Sequence, residues 1–209
     1  MEPRSEGADR RPVLAVVDYG AGNLTSVLKG LSAAGANPFV TVDPAQVAEA
    51  DGVVVPGVGH FAATRNINDE MRVALCAATT ARPVLGVCLG LQFLFEGSEE
   101  APDVPGLDLL PGHCFLLPKT QKVPHVGWNT VEVSVESRIL RGVPDGSSFY
   151  FTHSYAAPVT DVCVGWTTYT VPFASVIEVG NIYGAQFHPE KSGEVGLTVL
   201  RNFVALARS

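Results

Sequence analysis

The chain has 209 residues, of which 46% are hydrophobic and 17% charged, which is enough apolar material for one full core or two very small ones. Its formal charge of −7 and the lack of any Lys/Arg cluster argue against a nucleic-acid binder, and no apolar run reaches the length of a membrane span. Four widely spaced cysteines (Cys76, Cys88, Cys114, Cys163), with no C-x-x-C and no secretory signal, point to a reducing cytoplasm and away from a disulfide framework or a metal site.

Residues 1–11 are polar and include Pro3, so they read as a disordered extension, with a single domain over 12–209. Residues 13–18 form a short apolar strand that breaks at Gly20, Gly22 and Asn23 into a helix over 24–34, stopped by Gly35. The two glycines are a weak phosphate-loop signature and read better as a tight strand-to-helix turn. A second strand spans 39–42, and Asp43-Pro44 opens a short helix. A third strand, 52–55, ends in Pro56-Gly57-Val58-Gly59-His60-Phe61, and a helical stretch over 63–80 leads to a fourth strand, 84–88. This alternation predicts an α/β fold with an open, mostly parallel sheet flanked by helices. Ligands in such sheets sit at the carboxyl ends of the strands, where all three glycine-bearing loops fall.

The fourth strand runs into Gly86-Val87-Cys88-Leu89-Gly90 and then a helix predicted to continue to Glu96 before Gly97. A cysteine flanked by glycines at a strand–turn–helix junction is the thiol counterpart of the hydrolase nucleophile elbow. The sharp turn strains the backbone, side chains at the flanking positions would collide with strand and helix, and the helix N-terminus favours a thiolate. A buried structural cysteine is the bland alternative at this stretch.

From Gly112 onward the texture is β-prone, with runs at 114–117, 129–135, 148–152, 162–169, 175–179 and 182–187, closed by a helix over 194–207. These predict a mixed or antiparallel layer appended to the parallel sheet. The last run leads into Gln186-Phe187-His188-Pro189-Glu190. If the backbone stays extended through Pro189, the two-residue period points His188 and Glu190 the same way. A carboxylate-oriented histidine is the base that a cysteine nucleophile needs.

Together, G-V-C-L-G-L-Q at 86–92 and F-H-P-E at 187–190 resemble the motifs of the class I, triad-type glutamine amidotransferases. D-Y-G-A-G-N-L (18–24), P-G-V-G-H-F (56–61), P-H-V-G-W-N (124–129), Y-F-T-H-S-Y (150–155) and H-P-E-K-S (188–192) are most similar to the glutaminase subunits of imidazole glycerol phosphate synthases. Leu91, where methionine is common, and the N-terminal segment depart from the pattern without touching the chemistry. The resemblance implies a flavodoxin-like fold and a triad of Cys88, His188 and Glu190. It implies an oxyanion hole at Leu89 and the Gly57-Val58 peptide, and glutamine contacts at Gln92, Glu100, Ser154 and Tyr155. Gln92 also follows from helical spacing, four residues after Cys88.

The resemblance further implies L-glutamine as substrate, no cofactor and no metal. It implies a heterodimer with a β/α-barrel cyclase/synthase subunit that makes imidazole glycerol phosphate and an aminoimidazole carboxamide ribotide. Asn23, Trp128, Tyr150, His153 and Lys191 are expected at that interface, with core packing as the alternative for Trp128. His60 and His125 are expected to position loops or touch a partner, and His113 to be structural. The rival readings are an amidotransferase feeding another synthase, a regulatory subunit that is catalytically silent, and a free-standing cysteine hydrolase. The Trp- and Tyr-bearing motifs, the intact triad and the want of any feature favouring the last count against them in turn.

Overall fold

Short apolar runs bounded by turn residues form β1 (Val13–Val17), β2 (Asn37–Thr41), β3 (Gly52–Gly57) and β4 (Val84–Cys88). Helices α1 (Leu24–Ala33), α2 (Pro44–Glu49) and α3 (Asp69–Ala81) lie between them. The computed structural model describes residues 10–133 and 136–208. The expected extension over 1–11 therefore lies outside the described residues except for Arg10 and Arg11, and the expected strand over 129–135 is described only to Val133. Arg10 bonds Asp51 at 2.7 Å.

Each helix begins where the sequence offers a side-chain cap. Asn23 accepts from the Ser26 N–H, Asp43 from Ala45 and Asn68 from Met71. The Asn68 cap explains a departure from expectation. The stretch over 63–80 is not one helix but a 3₁₀ turn, Phe61–Asn66, followed by α3. Asn68 starts α3 anew, and Asp69 and Glu70 place negative charge on its first turn.

After Cys88 the helix is shorter than its apolar period predicts. Helix α4 covers only Leu89–Phe93, and β5 (Phe95–Ser98) follows at once. The Phe93, Phe95 and Glu96 carbonyls instead accept N–H groups of Leu107, Asp108 and Gly106, at 2.6, 3.2 and 2.8 Å. Pairing with that returning segment replaces a further helical turn. Buried strand and buried helix look alike in so short an apolar run.

The remaining elements are β6 (Leu110–Leu116), β7 (His125–Val133), β8 (Ser147–His153), β9 (Tyr155–Ala156), β10 (Cys163–Tyr169), β11 (Val171–Val179), β12 (Ile182–Ala185) and α5 (Gly193–Leu206). The main sheet has the order β2-β1-β3-β4-β12-β11-β10-β7-β8, and β5-β6-β9 form a small second one. Pairing is parallel from β2 to β12 and antiparallel beyond. Most of the expected appended layer is thus a continuation of the same sheet, joined through β12. Alternate residues of β1 feed two cores: Ala15 and Val17 pack with Phe61, Leu75 and Phe95, while Leu14 and Val16 pack with Leu31, Phe187 and Phe203.

The topology gathers the carboxyl ends of β3, β4 and β12. Gly57 pairs with Cys88 across β3–β4, and Ala185 with Val87 across β12–β4. Helix α4 is pressed onto β3 so closely that a Cβ on Gly90 would lie 1.7 Å from the Val55 carbonyl oxygen. Gly90→Ala is therefore expected to destabilise the fold by about 3 kcal/mol, an overpacking cost. Chemical denaturation checks this, and an unchanged midpoint would refute so tight an approach.

Candidate active site

Cys88 sits at the tip of β4 with φ 54° and ψ −107°, a positive-φ conformation rare for a residue with a side chain. Strain of this kind costs on the order of 1–3 kcal/mol and persists only when the surroundings impose it. The flanking glycines allow it: a Cβ on Gly86 would lie 2.5 Å from the Gly90 carbonyl oxygen. The thiol is 4% exposed and is reached by the Gln186 amide N–H at 3.6 Å.

His188 and Glu190 come together by a route other than the expected one. His188 is extended (φ −98°, ψ 97°), but Pro189–Lys191 form a 3₁₀ turn and not a continued strand. The turn swings the Glu190 carboxylate onto His188 Nδ1 at 2.8 Å, with the two side chains only 2% and 3% exposed. The His188 N–H donates to the Tyr150 carbonyl at 2.9 Å, and Ser192 Oγ donates to the His188 carbonyl at 2.6 Å, fixing the ring's base. Burial alone would lower the imidazolium pKa, but Cys88 and Glu190 together outweigh it and push it up to about 9. With Nδ1 engaged by Glu190, Nε2 makes no hydrogen bond among the described residues and is the nitrogen left to face the sulfur.

A cleft of about 220 Å³ opens beside the sulfur, lined by Cys88, Leu89, Gln92, Glu100, Ser154 and Tyr155, together with Gly59, Pro124, Thr152 and His153. All four expected glutamine contacts are in this wall. Gln92 Nε2 donates to the Tyr155 carbonyl at 2.8 Å and to Gln186 Oε1 at 3.2 Å. Glu100 accepts the Phe61 N–H at 2.7 Å and so ties the cleft rim to the loop after β3. Of the expected oxyanion groups, Leu89 opens α4 and Gly57 ends β3 opposite Cys88, with Val58 next to it and Gly59 at φ +106°.

The profile of the family described as glutamine amidotransferase class-I matches residues 15–207. The chain belongs to the class I glutamine amidotransferases. It is 48% identical over 203 residues to the imidazole glycerol phosphate synthase subunit HisH of Moorella thermoacetica, covering 95% of this chain and 96% of that one. It is 46% identical over 199 residues to the HisH subunit of Methanothermobacter thermautotrophicus, covering 94% and 100%. Among solved structures, PurLQS from Thermotoga maritima aligns with a TM-score of 0.73 at 17% identity, covering 94% and 99%. A putative GMP synthase subunit from Thermoplasma acidophilum aligns at 0.66 and 20% identity, covering 95% and 94%. The two structures speak to fold alone.

Two residues beside Cys88 and its cleft are not assigned by the sequence. Gln186 lies two positions before His188, just beyond β12, and that two-residue spacing was the available signal. Tyr19 is buried with its hydroxyl against the Gly57 backbone and no hydrogen-bond partner among the described residues. Burial, reinforced by Cys88, raises its pKa far above the usual phenol range, and no sequence pattern signals such a contact.

Four of the five expected interface residues are on the surface or partly so. Trp128 is 58% exposed, which rules out the core alternative, and packs edge-on to its cross-strand partner Tyr150 at 6.2 Å. The Lys191 ammonium lies 5.9 Å above the Tyr150 ring. Asn23 is exposed, beside Gly22, which approaches Gly57. His153 is instead 7% exposed, turned into the molecule against His125. His60 caps Ala62 on the loop after β3, and the exposed His113 Nδ1 lies 3.1 Å from the Glu96 carboxylate.

The raised His188 pKa sets a pH dependence. Its folded value, about 9, lies above the ordinary 6.5. The stabilisation it brings is complete below pH 6.5 and is lost as the pH rises through about 9. Glu190→Gln removes one of the two raising interactions, so the His188 midpoint in an NMR titration is expected to fall and stability to depend less on pH over that window. An unmoved midpoint would show that Glu190 does not hold the imidazolium.

Proposed function

We propose that this chain is the glutaminase subunit of an imidazole glycerol phosphate synthase, acting in the cytoplasm as a heterodimer with a β/α-barrel synthase subunit. The observation that carries the chemistry is a strained cysteine at a polar cleft, backed by a histidine that a buried carboxylate orients. The near-full-length likeness to HisH subunits supports the choice of pathway. No helix among the described residues is long and apolar enough to cross a membrane.

The Cys88 thiolate attacks the side-chain amide carbon of glutamine, its proton having passed to His188. The negative charge on the tetrahedral oxygen is met by the Leu89 N–H and by an N–H of the Gly57-Val58 region after a peptide rearrangement. His188 then gives its proton to the departing ammonia. Glu190 stabilises the imidazolium between the two transfers, and water cleaves the thioester to glutamate. Gln92, Glu100, Ser154 and Tyr155 hold the amino acid's other groups.

Ammonia passes to the partner subunit, which docks on the face bearing Asn23, Trp128, Tyr150 and Lys191. An oxyanion donor missing at rest and supplied on docking alters the rate by about 10²–10³-fold, so hydrolysis follows the partner's state. The intact triad speaks against a silent regulatory subunit.

Cys88→Ala is expected to abolish glutamate release and glutamine-dependent synthesis, leaving synthesis from added ammonium salt intact. Assays of the two-subunit complex with each nitrogen source check this, and normal glutamate release by the variant would overturn the nucleophile. Trp128→Ala is expected to leave the isolated chain's melting temperature within a degree or two, since its exposed ring holds no core contact. It should weaken partner association by about 2 kcal/mol, the scale of an aromatic anchor. Calorimetric titration against the synthase subunit measures it, and unchanged affinity would remove Trp128 from the interface.

A further inference from the structure

Two buried histidines outside the triad form a cross-strand pair. His125 on β7 and His153 on β8 are register partners, and His125 Nδ1 lies 3.0 Å from His153 Nε2. His153 Nδ1 lies 2.9 Å from the Tyr155 carbonyl oxygen, and the Asn129 side-chain nitrogen lies 3.3 Å from His125 Nε2.

The chemistry of these contacts fixes their direction. A carbonyl oxygen only accepts, so His153 Nδ1 carries a hydrogen. A neutral imidazole has one N–H, so His153 Nε2 accepts, and His125 Nδ1 must donate to it. His125 Nε2 is then an acceptor for the Asn129 amide. That amide's orientation is set independently, because its oxygen accepts the Thr130 N–H at 2.8 Å. Beyond Tyr155 the path continues to the nucleophile. The same carbonyl accepts Gln92 Nε2–H, Gln92 also donates to Gln186, and Gln186 donates to the Cys88 sulfur.

We propose that His125 and His153 are positioning residues: a one-way hydrogen-bond relay that holds the Tyr155 carbonyl and, through it, the Gln92 amide against the substrate cleft. The inference rests on the cleft being the glutamine site. Gln92 pinned by two acceptors presents its own oxygen in one orientation, as substrate selection by hydrogen bonding requires. The outer end of the relay is Asn129, half-buried on β7 between Trp128 and Thr130, so the partner-facing strand and the cleft wall share one polar path.

The surroundings keep both rings neutral. Around His125 pack Tyr169 of β10 at 4.1 Å, Phe151 of β8 at 5.0 Å and Phe173 of β11 at 6.1 Å, with no carboxylate in contact among the described residues. Burial lowers the His125 pKa to about 4. Burial also lowers that of His153 to about 3, against its bond to Tyr155, and His125 and His188 act in the same direction as burial. A proton on either ring would set two N–H groups against each other and break the relay. The pairing therefore holds throughout the physiological range.

The test joins kinetics to a tautomer measurement. In the two-subunit complex, His125→Leu is expected to raise the KM for glutamine about tenfold, the scale of one buried hydrogen bond, with a smaller change in kcat. His125→Asn, whose amide nitrogen can stand where Nδ1 stood, should recover most of that loss. Alkylation of Cys88 should proceed normally in both variants. An unchanged KM in His125→Leu, or equal losses in both variants that track their melting temperatures, would overturn the proposal in favour of simple packing. Nitrogen-15 histidine NMR on the full wild-type chain reads the relay without any assay. Two neutral rings with hydrogen on Nδ1, not titrating between about pH 5.5 and 8, are expected from the lowered pKa values of both rings. Hydrogen on Nε2, or titration in that range, would refute the relay. Failure of the wild-type complex to release glutamate would instead refute the glutaminase reading and leave the NMR result standing.

Discussion

The positive φ of Cys88 is the constraint on which the site depends. Strand β4 must turn into α4 within a single residue, and that residue must carry a side chain, because it carries the sulfur. The turn is possible only if the helix start is laid against β3 and β4 at a separation that no Cβ permits, which makes Gly86 and Gly90 obligatory. In return the sulfur stands at the rim of the sheet with the first N–H groups of α4 beside it. The strain is imposed by a strand paired on both sides: β3 and β12 hold β4 in parallel register up to its last residue or the one before it.

That placement explains why the chain abandons strand–helix alternation after β4. A purely parallel sheet would bring only loops to the carboxyl edge. By making β12 the parallel neighbour of β4 and then running antiparallel through β11, β10, β7 and β8, the chain delivers His188 and Gln186 directly beyond the end of a strand adjacent to the nucleophile. The β8–β9 segment, which carries Thr152 to Tyr155, folds over to wall the cleft. The site is therefore assembled from strands distant in sequence, with Cys88 at the end of β4, His188 beyond its parallel neighbour β12, and a wall from the antiparallel part of the sheet.

Much of this was readable in the residues, for identifiable reasons. Strands β1, β3 and β4 are largely apolar runs, and the starts of α1, α2 and α3 carry Asn or Asp caps, so local chemistry and final structure agree there. The elbow was legible because its glycines answer a steric demand with no other solution. What escaped depended on contacts distant in sequence. The early end of α4 is dictated by residues 106–110 returning to bond its carbonyls, which no local period encodes. The His188–Glu190 contact was foreseen, but for a backbone reason that does not hold, since a 3₁₀ turn and not an extended strand makes it. His153 was expected at the partner interface from its motif's likeness, whereas β8 faces it inward onto His125 across a register that only the sheet defines.

The two buried histidine sites show how much environment outweighs residue type. His188 and His153 are both nearly sealed from solvent, so desolvation pushes each toward the neutral form. At His188 the interactions with Cys88 and Glu190 outweigh that cost, and the balance tips to an imidazolium stable to about pH 9. At His153 the neighbours are another imidazole, aromatic rings and a carbonyl, whose hydrogen bond offsets only part of the lost hydration, and the ring stays neutral. One buried histidine is thereby made to keep a proton, and the other to do without one.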